Sequence, residues 1–395
     1  LLFLLGSGIW VALSMIAVSA VGMLLFTTRP VGDAMATTIW GTSSSWTLTA
    51  LPLFVWMGEI LFRTKLSENL FKGLSPWLSK LPGGLVHVNV VGCALFAAIS
   101  GSSAATVATV GKMSIPELRK RKYPEKLLLG SLAGSGTLGL LIPPSIILII
   151  YGVTIEDSIA KLFMAGILPG IMIALMFMLY VIFWSILNKK LMPKSVESFS
   201  FLEKVQGSKQ LLPVILLITS VIGSIYTGIA TATEAASLGV VGALILSFFQ
   251  GTLNKNTFNL SLLGATKTSC MIAFILAGST FLSLAMGFTG LPRNLAIWID
   301  GMNLSPYTLL FVLTIFYIIL GMFLDGISAV VLTMAIIEPM IRQAGFDMIW
   351  FGIYLVIVVE MAQITPPVGF NLFVLQGMAN KDMGFIARSA FPLFL

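Results

Sequence analysis

The sequence predicts an all-α integral membrane protein made of two inverted repeats, each with a re-entrant helical hairpin and a helix broken at a Pro-Pro pair. Three observations support this fold: an apolar composition, apolar runs that are interrupted midway, and an internal repeat. Of the 395 residues, 57% are hydrophobic and 10% are charged, and the mean hydropathy is +1.00. This composition excludes an ordinary soluble globular protein.

The net charge of +7 does not indicate nucleic-acid binding, because the Lys and Arg residues lie in short segments between apolar runs. Cys93 and Cys270 lie far apart inside apolar runs, so neither a disulfide framework nor a metal cluster is expected. The chain begins at Leu1 without a basic flank, and we therefore expect part of a longer polypeptide and no signal peptide at this point.

Several apolar runs are long enough to cross a bilayer, which takes about 20 residues of helix. Clear spans lie near 3–27, 158–187, 211–229, 234–250 and 268–288. A less regular span near 46–62 contains Pro52 and Glu59. The protein is therefore expected to cross the membrane many times.

Two further apolar stretches, about 88–118 and about 303–342, carry small or polar breaks in the middle, at 100–103 and 325–328. Each half is too short to span alone, so each stretch is predicted to be a re-entrant hairpin. Unpaired backbone at membrane depth occurs only against protein or a water-filled cavity. The breaks therefore indicate a site.

Two runs, about 127–155 and about 346–378, are predicted to be broken helices, because Pro-Pro pairs interrupt them at 143–144 and 366–367. Proline removes a backbone donor and stops the helix, which frees carbonyls one turn earlier as cation ligands. The N-terminus of a half-helix offers unpaired N–H groups to an anion.

The two halves of the chain share landmarks at a nearly constant offset. Segments 64–70 and 289–295 match at four of seven positions with an offset of 225, Gly101 and Gly326 keep that offset, and the Pro-Pro pairs follow at 223. The order predicts a duplication, with a first repeat at 1–157, linking scaffold helices at 158–229 and a second repeat at 230–395. An odd number of crossings, five, separates equivalent points, so the repeats are predicted to be inverted, as in secondary transporters.

The positions of Lys and Arg provide an independent test of this topology, because they favour cytoplasmic loops. Segments 63–88, 111–126, 188–210, 251–267 and 380–388 are predicted to be cytoplasmic, and they hold 19 of the 23 basic residues. The remaining four are Arg29, Lys161, Arg293 and Arg342. The first hairpin is then predicted to open inward and the second outward.

Four serines and one aspartate are the candidate ligands at the breaks. Ser100, Ser102, Ser103 and Ser145 offer hydroxyls to either ion, and the alternative is that they only allow close helix packing. Asp325 is a functional candidate because it is ionisable at a predicted hairpin tip, and the alternative is an exposed helix N-cap. Four glutamates rank lower, because a carboxylate near a helix end can face the interface: Glu59, Glu234, Glu338 and Glu360.

Other functional classes lack the residues that they need. The sequence has no G-x-x-x-x-G-K-[ST] phosphate loop for an ATP-driven pump. An enzyme needs a nucleophile with a base, but His87 is the single histidine and neither cysteine has a partner nearby. A channel would not need paired breaks of this kind. The sequence therefore favours a carrier of a small organic anion over an enzyme.

Four short motifs together resemble the large membrane (M) subunit of tripartite ATP-independent periplasmic (TRAP) transporters. They are Gly-Ser-Ser-Ala-Ala at 101–105, Ile-Pro-Pro-Ser at 142–145, Thr-Glu-Ala-Ala at 233–236 and Thr-Pro-Pro-Val-Gly at 365–369. The resemblance covers nearly the whole chain, and the combination is specific although each motif alone is weak. One departure is Ala232, where the family often has proline, and it bears only on how that helix begins.

The resemblance implies an elevator-type transporter, in which hairpins and broken helices slide against a fixed scaffold. It implies sodium-coupled uptake of a carboxylate, such as a C4-dicarboxylate or sialic acid, across the bacterial inner membrane, with Na+ as coupling ion and no other cofactor. A periplasmic substrate-binding (P) protein would deliver the cargo, and a small four-helix membrane (Q) subunit would complete the scaffold. The closest alternative is a sodium/anion symporter of similar architecture that works without a binding protein.

The resemblance also implies positions for two sodium sites and a substrate site. One sodium site would lie between the first hairpin tip and the first proline pair, at Ser103, Pro143, Pro144 and Ser145. The second would lie between the other tip and the second pair, at Gly326, Thr365, Gly369 and the carbonyl of Met378. The substrate candidates are Ser100, Ser102, Ser145 and Asp325. Because a charged Asp325 would repel a carboxylate, we expect it to bind a substrate hydroxyl or amide, orient a water or support the sodium site.

Overall fold

The computed structural model describes residues 1–193, 199–290, 294 and 305–395, and these form α-helices and short 3-10 turns with tight connections. The first five helices, α1 to α5, cover Leu2–Gly6, Val11–Phe26, Val31–Ser43, Ala50–Phe62 and Leu66–Leu78. Short 3-10 turns cover Trp46–Thr49, Gly84–Val86 and Lys189–Leu191. The all-helical class predicted from composition is therefore the class of the described residues.

The first hairpin consists of α6, His87–Ser100, and α7, Ser103–Lys120. Gly101 ends α6 in the left-handed region at φ 57°, which favours glycine because glycine has no Cβ. Ser102 then caps α7 with its side chain. The two arms pack against each other, so the chain reverses at the polar break.

The first broken helix consists of α8, Glu125–Gly136, the single turn α9, Leu138–Leu141, and α10, Ile146–Thr154. We call the connection 142–145 the first break. The two prolines stop α9 because neither has a backbone N–H. Ser145 then starts α10 by accepting a hydrogen bond from the Leu148 N–H at 3.3 Å.

Five helices follow before the second hairpin: α11 to α15 cover Ile159–Leu187, Phe201–Lys209, Leu212–Tyr226, Ala232–Phe249 and Lys255–Thr289. Helix α15 has 35 residues, because Asn254 and Thr257 form a capping box that starts it well before the predicted span at 268–288. At 1.5 Å per residue it is about 52 Å long, longer than the roughly 30 Å hydrocarbon core. The segment 251–267, predicted to be cytoplasmic, is therefore largely helical.

The second hairpin consists of α16, Pro306–Gly321, and α17, Gly326–Gln343. A hydrogen bond of 2.6 Å between the Tyr317 and Thr333 hydroxyls ties its arms together. The second broken helix consists of α18, Met348–Gln363, and α19, Phe370–Ala379, and we call the connection 364–369 the second break. The last helix, α20, covers Met383–Phe394.

Two predicted spans are divided in the structure. The apolar run 3–27 separates into α1 and α2 near Gly8, whose φ of 82° no helix can contain. The run 46–62 contains a 3-10 turn and α4, and α3 precedes it with a bend of 53°. Among the described residues, five helices are long and apolar enough to cross a membrane, or seven if each bent pair counts as one span.

Some positions used to predict the repeat lie outside the described residues. In the matching segment these are 291–293, which include Arg293, and 295, and in the second hairpin they are 303 and 304. Within the described ranges, hairpin, broken helix and preceding helices recur in the same order in both halves. The inversion of one half relative to the other stays a prediction.

Candidate functional site

A cavity of about 300 Å³ lies where the two hairpin tips approach both breaks. Residues 100–105 of the first hairpin and 325–327 of the second line it. Leu140 and Ile146 from either side of the first break, and Gln363 and Phe370 from either side of the second, complete this part of the lining. The structure therefore brings the four interrupted elements predicted from the sequence to one site.

A small hydrogen-bond network shapes the first hairpin tip. The Ser100 hydroxyl lies 2.9 Å from the Thr106 hydroxyl, and the Ser102 N–H donates to Ser100 Oγ at 3.3 Å. Ser102 Oγ accepts a hydrogen bond from the Ala105 N–H at 3.5 Å as the N-cap of α7. Both serines line the cavity, so the positive end of the α7 dipole is presented to it.

Asp325 occupies the corresponding place at the second hairpin tip. Its Oδ2 accepts a hydrogen bond from the Ser328 N–H at 3.1 Å, which makes it the N-cap of α17. The side chain is exposed and lines the cavity. Asp325 is thus an exposed helix N-cap, as the alternative interpretation had it. The same carboxylate also faces the cavity and can contact a ligand there.

The first hairpin tip touches the first break directly. The Ile146 N–H donates to the Gly101 carbonyl at 3.4 Å, and a Cβ on Gly101 would lie 2.9 Å from the Pro144 carbonyl oxygen. Pro143, Pro144 and Ser145 are buried. The Ser145 hydroxyl donates to the Leu140 carbonyl and lies outside the cavity lining, so its position suits an ion beneath the tip better than cargo.

Carbonyl oxygens converge at the second break around Gly369. This residue has a φ of 46°, and a Cβ on it would lie 2.8 Å from the Thr365 carbonyl oxygen and 3.1 Å from that of Gln363. A Cβ on Gly326 would lie 3.5 Å from Gln363 Nε2, so the second hairpin tip also adjoins this break. Among the described residues, Gln363 Nε2 has no hydrogen-bond partner.

Met378 lies away from this group. It is near the end of α19, about 13 Å along the helix axis from Gly369 at 1.5 Å per residue. Its methyl carbon would be 3.2 Å from a Cβ on Gly111 of the first hairpin. The structure brings Gly326, Thr365 and Gly369 together without Met378, whose role as a ligand stays a prediction.

Helices α4 and α15 close the outer side of the cavity. Glu59 of α4, with Thr268 and Met271 of α15, contributes to this wall. Glu59 forms an ion pair with Arg63 one turn further along the helix. The charged side chains in the lining are Asp325 and the Arg63-paired Glu59, so an anionic cargo needs helix N-termini or bound cations to offset the charge of Asp325.

Glu360, one of the four glutamates placed below Asp325 from the sequence, is enclosed in the structure. It is 4% exposed, and the Ser103 hydroxyl donates to both of its carboxylate oxygens at 2.8 Å. The signal was present in the sequence, because Glu360 lies within an apolar run, and buried ionisable residues in such runs are functional candidates. The other glutamates are less enclosed: Glu234 caps α14 and Glu338 pairs with Arg342 at the surface.

The donor set at each break consists of oxygen atoms and suits Na+, which unwound backbone carbonyls coordinate in secondary transporters. The oxygen donors at the first break are the Gly101 and Pro144 carbonyls, with the Ser103 hydroxyl nearby. The oxygen donors at the second break are the Gln363 and Thr365 carbonyls. The helix N-termini between them suit an anion.

Comparison with known proteins identifies one family. The family described as "Tripartite ATP-independent periplasmic transporter, DctM component" matches residues 1–395. The chain is 33% identical over 374 residues to the C4-dicarboxylate TRAP transporter large permease protein DctM of Pseudomonas aeruginosa, covering 94% of this chain and 87% of that relative. It is 29% identical over 399 residues to the sialic acid TRAP transporter large permease protein SiaM of Vibrio cholerae, covering 99% and 91%.

A third relative is the 2,3-diketo-L-gulonate TRAP transporter large permease protein YiaN of Escherichia coli, with 32% identity over 366 residues, covering 91% of this chain and 84% of the relative. Among solved structures, the YdaH transporter of Alcanivorax borkumensis is similar with a TM-score of 0.61 and 14% identity, covering 98% of this chain and 94% of that one. At this identity the likeness concerns the fold alone.

Proposed function

This chain belongs to the DctM component family of tripartite ATP-independent periplasmic (TRAP) transporters, and from this premise we propose that it takes up a small organic acid by sodium symport. Large permeases of this family serve solute uptake together with a binding protein. The chain is a multi-pass protein of the bacterial inner membrane. We propose transport alone, with no catalysed reaction.

The single observation that carries the proposal is the cavity shared by both hairpin tips and both breaks. Helices α7 and α17 begin at its edge, each with an N-cap side chain, so two positive helix ends approach the same space. An organic acid anion placed between them would accept hydrogen bonds from first-turn N–H groups. Ser100 and Ser102 would contribute further polar contacts from the lining.

Sodium ions would bind on the two flanks of this cavity. The first would take oxygens at Ser103 and the first break, including Pro143, Pro144 and Ser145, and the second would take oxygens at Gly326, Thr365 and Gly369. Cations there would offset Asp325, which otherwise disfavours an anionic cargo. Asp325 would then bind a cargo hydroxyl or amide, or support the adjacent sodium site.

The relatives support an organic acid as cargo. Their names give C4-dicarboxylate, sialic acid and 2,3-diketo-L-gulonate as transported compounds. These acids share a carboxylate and differ in the rest of the molecule. We therefore propose a carboxylate held by the hairpin tips, with the remaining contacts setting the choice among acids.

The proposed mechanism is an elevator, in which the hairpins and broken helices move together past α4 and α15. The partners would be a small four-helix membrane subunit and a periplasmic substrate-binding protein, as the family implies. A binding-protein-independent symporter, the alternative, is not favoured, because the whole described sequence matches the tripartite family.

Reconstitution tests this function directly. The permease and its small membrane subunit are placed in proteoliposomes, and uptake of radiolabelled succinate and sialic acid is measured with and without the periplasmic binding protein. We expect uptake to require both the binding protein and an inward sodium gradient. Equal uptake when potassium replaces sodium would contradict the symport, and equal uptake without the binding protein would support the alternative.

A further inference from the structure

A hydrogen bond that the proposed sodium symport does not explain joins the two halves of the chain through Glu360 and Ser103. Ser103 begins the second arm of the first hairpin, and Glu360 lies in the second broken helix, 257 positions away in sequence. The Ser103 Oγ lies 2.8 Å from each carboxylate oxygen of Glu360. A single hydroxyl thus serves both oxygens of a carboxylate that is 4% exposed.

The surroundings of Glu360 lack a balancing positive charge. None of the ion pairs among the described residues includes it. Burying a carboxylate away from water is costly unless a cation or a full set of donors compensates for it. A cation bound to the Ser103 hydroxyl would be separated from the Glu360 carboxylate by that hydroxyl group alone.

The geometry also determines how Ser103 can act. A serine hydroxyl has one hydrogen and two acceptor lone pairs. Because the hydrogen points to Glu360, the lone pairs remain for a cation, and the partner carboxylate makes the oxygen more basic. Ser103 lines the cavity and Glu360 does not, so the carboxylate lies behind the ligand.

The arrangement is present on one side of the molecule only. The offset of 223 that relates the Pro-Pro pairs also relates Glu360 to position 137, which is a threonine. The Thr137 hydroxyl donates to the Gly134 carbonyl of its own helix at 2.6 Å. The duplicated position therefore carries no charge, and the two flanks of the cavity differ electrostatically.

We propose that Glu360 is a positioning residue for the cation at the first hairpin tip, where it accepts the Ser103 hydroxyl hydrogen bond and so directs the Ser103 lone pairs toward the ion. This inference rests on the proposed sodium symport. It makes the two sodium sites unequal, and the site at the first hairpin binds sodium more tightly because of the additional buried charge. The carboxylate acts through Ser103 and does not touch the cargo.

Sodium-dependent thermal unfolding of the purified permease tests this role without relying on transport. The rise in unfolding temperature is titrated with NaCl against choline chloride at constant ionic strength, since an ion that binds the folded state stabilises it. The variants are Glu360→Gln, which keeps the shape and removes the charge, and Ser103→Ala, with the double variant. Tyr317→Phe is the matched control, because it removes a buried hydrogen bond of the second hairpin away from the cavity.

We expect Glu360→Gln to raise the half-saturating sodium concentration about 10-fold, as loss of an outer-shell partner of a metal ligand does. Tyr317→Phe should leave it unchanged. In the Ser103→Ala background, Glu360→Gln should add no further loss, because the carboxylate acts through that hydroxyl. A purely structural role would lower the unfolding temperature without changing the sodium titration.

Other results would overturn the inference. If Glu360→Gln binds sodium with the affinity of the original chain, the charge does not serve the ion and the inference fails while sodium symport stands. If the original chain shows neither a sodium-dependent shift nor sodium-dependent uptake, the proposed symport fails and the inference fails with it. Should Glu360→Gln not fold, Glu360→Met removes the charge with a side chain of similar length, and the same outcomes decide.

Discussion

The Cα of Gly101 lies so close to the carbonyl oxygen of Pro144 that a Cβ on Gly101 would be 2.9 Å from it. The two residues belong to the first hairpin tip and the first break, which the sequence shows only as separate interruptions. Their contact places two backbone carbonyls, those of Gly101 and Pro144, at one flank of the cavity. The close approach and the positive φ of Gly101 both require the absence of a side chain.

Gly101→Ala is therefore expected to displace the first hairpin tip. A left-handed conformation costs an L-residue about 1–2 kcal/mol, and the contact with backbone adds to this cost. We predict a lower unfolding temperature and about a 10-fold fall in sodium-driven uptake, which corresponds to about 1.4 kcal/mol. Gly223→Ala is the control, since a Cβ there meets nothing within 4 Å, and it should leave uptake unchanged. Uptake by Gly101→Ala within twofold of the original chain would count against this role of the tip.

A substitution at Ser145 distinguishes the two roles predicted for it from the sequence, sodium binding and substrate binding. Ser145 is not among the residues that line the cavity, and its hydroxyl caps α10 and donates to the Leu140 carbonyl, so we expect Ser145→Ala to weaken sodium binding about 10-fold. The KM for cargo at saturating sodium should not change. Ser158→Ala, which removes a comparable N-cap from α11, should lower stability slightly and leave sodium affinity unchanged. An increased cargo KM with unchanged sodium affinity would assign Ser145 to the substrate.

The two functions of Asp325 are separable by a pair of substitutions. Asp325→Ala removes the N-cap of α17, at a cost of about 1 kcal/mol, and also the charge in the cavity. Asp325→Asn keeps a cap of similar strength and removes only the charge. We predict that Asp325→Asn keeps the unfolding temperature of the original chain, whereas Asp325→Ala lowers it. Both variants should change the half-saturating concentration of cargo or of sodium about 10-fold. Uptake kinetics of Asp325→Asn identical to those of the original chain would restrict Asp325 to capping.

The interruptions of this fold are predictable because they depend on local chemistry. Glycine at 101 and the proline pairs at 143–144 and 366–367 cannot continue a helix, whatever surrounds them. Their repetition at a nearly constant offset predicted a duplication, and their expected position at membrane depth indicated a site. The cavity bordered by both tips and both breaks agrees with that prediction.

Other features depend on packing that the sequence does not express. The apolar run around Glu360 was visible in the sequence, but its hydrogen bond with Ser103, 257 residues away, depends on how the two halves pack. Helix α15 begins at Lys255 because of a local capping box, well before the span predicted from hydrophobicity at 268–288. Thr268 and Met271 reach the cavity only because α15 packs beside α4.

The contact between Gly58 and Ser100 provides a test of the elevator movement. A Cβ on Gly58 of α4 would lie 3.3 Å from the Cα of Ser100, so the two positions adjoin each other closely enough to test a cross-link between them. In a background of Cys93→Ala and Cys270→Ala, the pair Gly58→Cys and Ser100→Cys should cross-link on mild oxidation. If the hairpin must slide past α4, uptake should stop after oxidation and return with reductant. Each single variant is the control, and full uptake by the cross-linked protein would contradict a sliding hairpin.

The central claim is that the cavity between the hairpin tips holds an organic acid together with sodium. The most direct measurement is the rate at which a hydrophilic thiol reagent modifies Ser100→Cys in a protein without native cysteines. The comparison is Thr227→Cys, at the exposed C-cap of α13. We predict that sodium and the transported acid, added together, slow modification at position 100 and leave position 227 unchanged. Modification at position 100 that is equally fast with and without sodium and the acid would contradict the account.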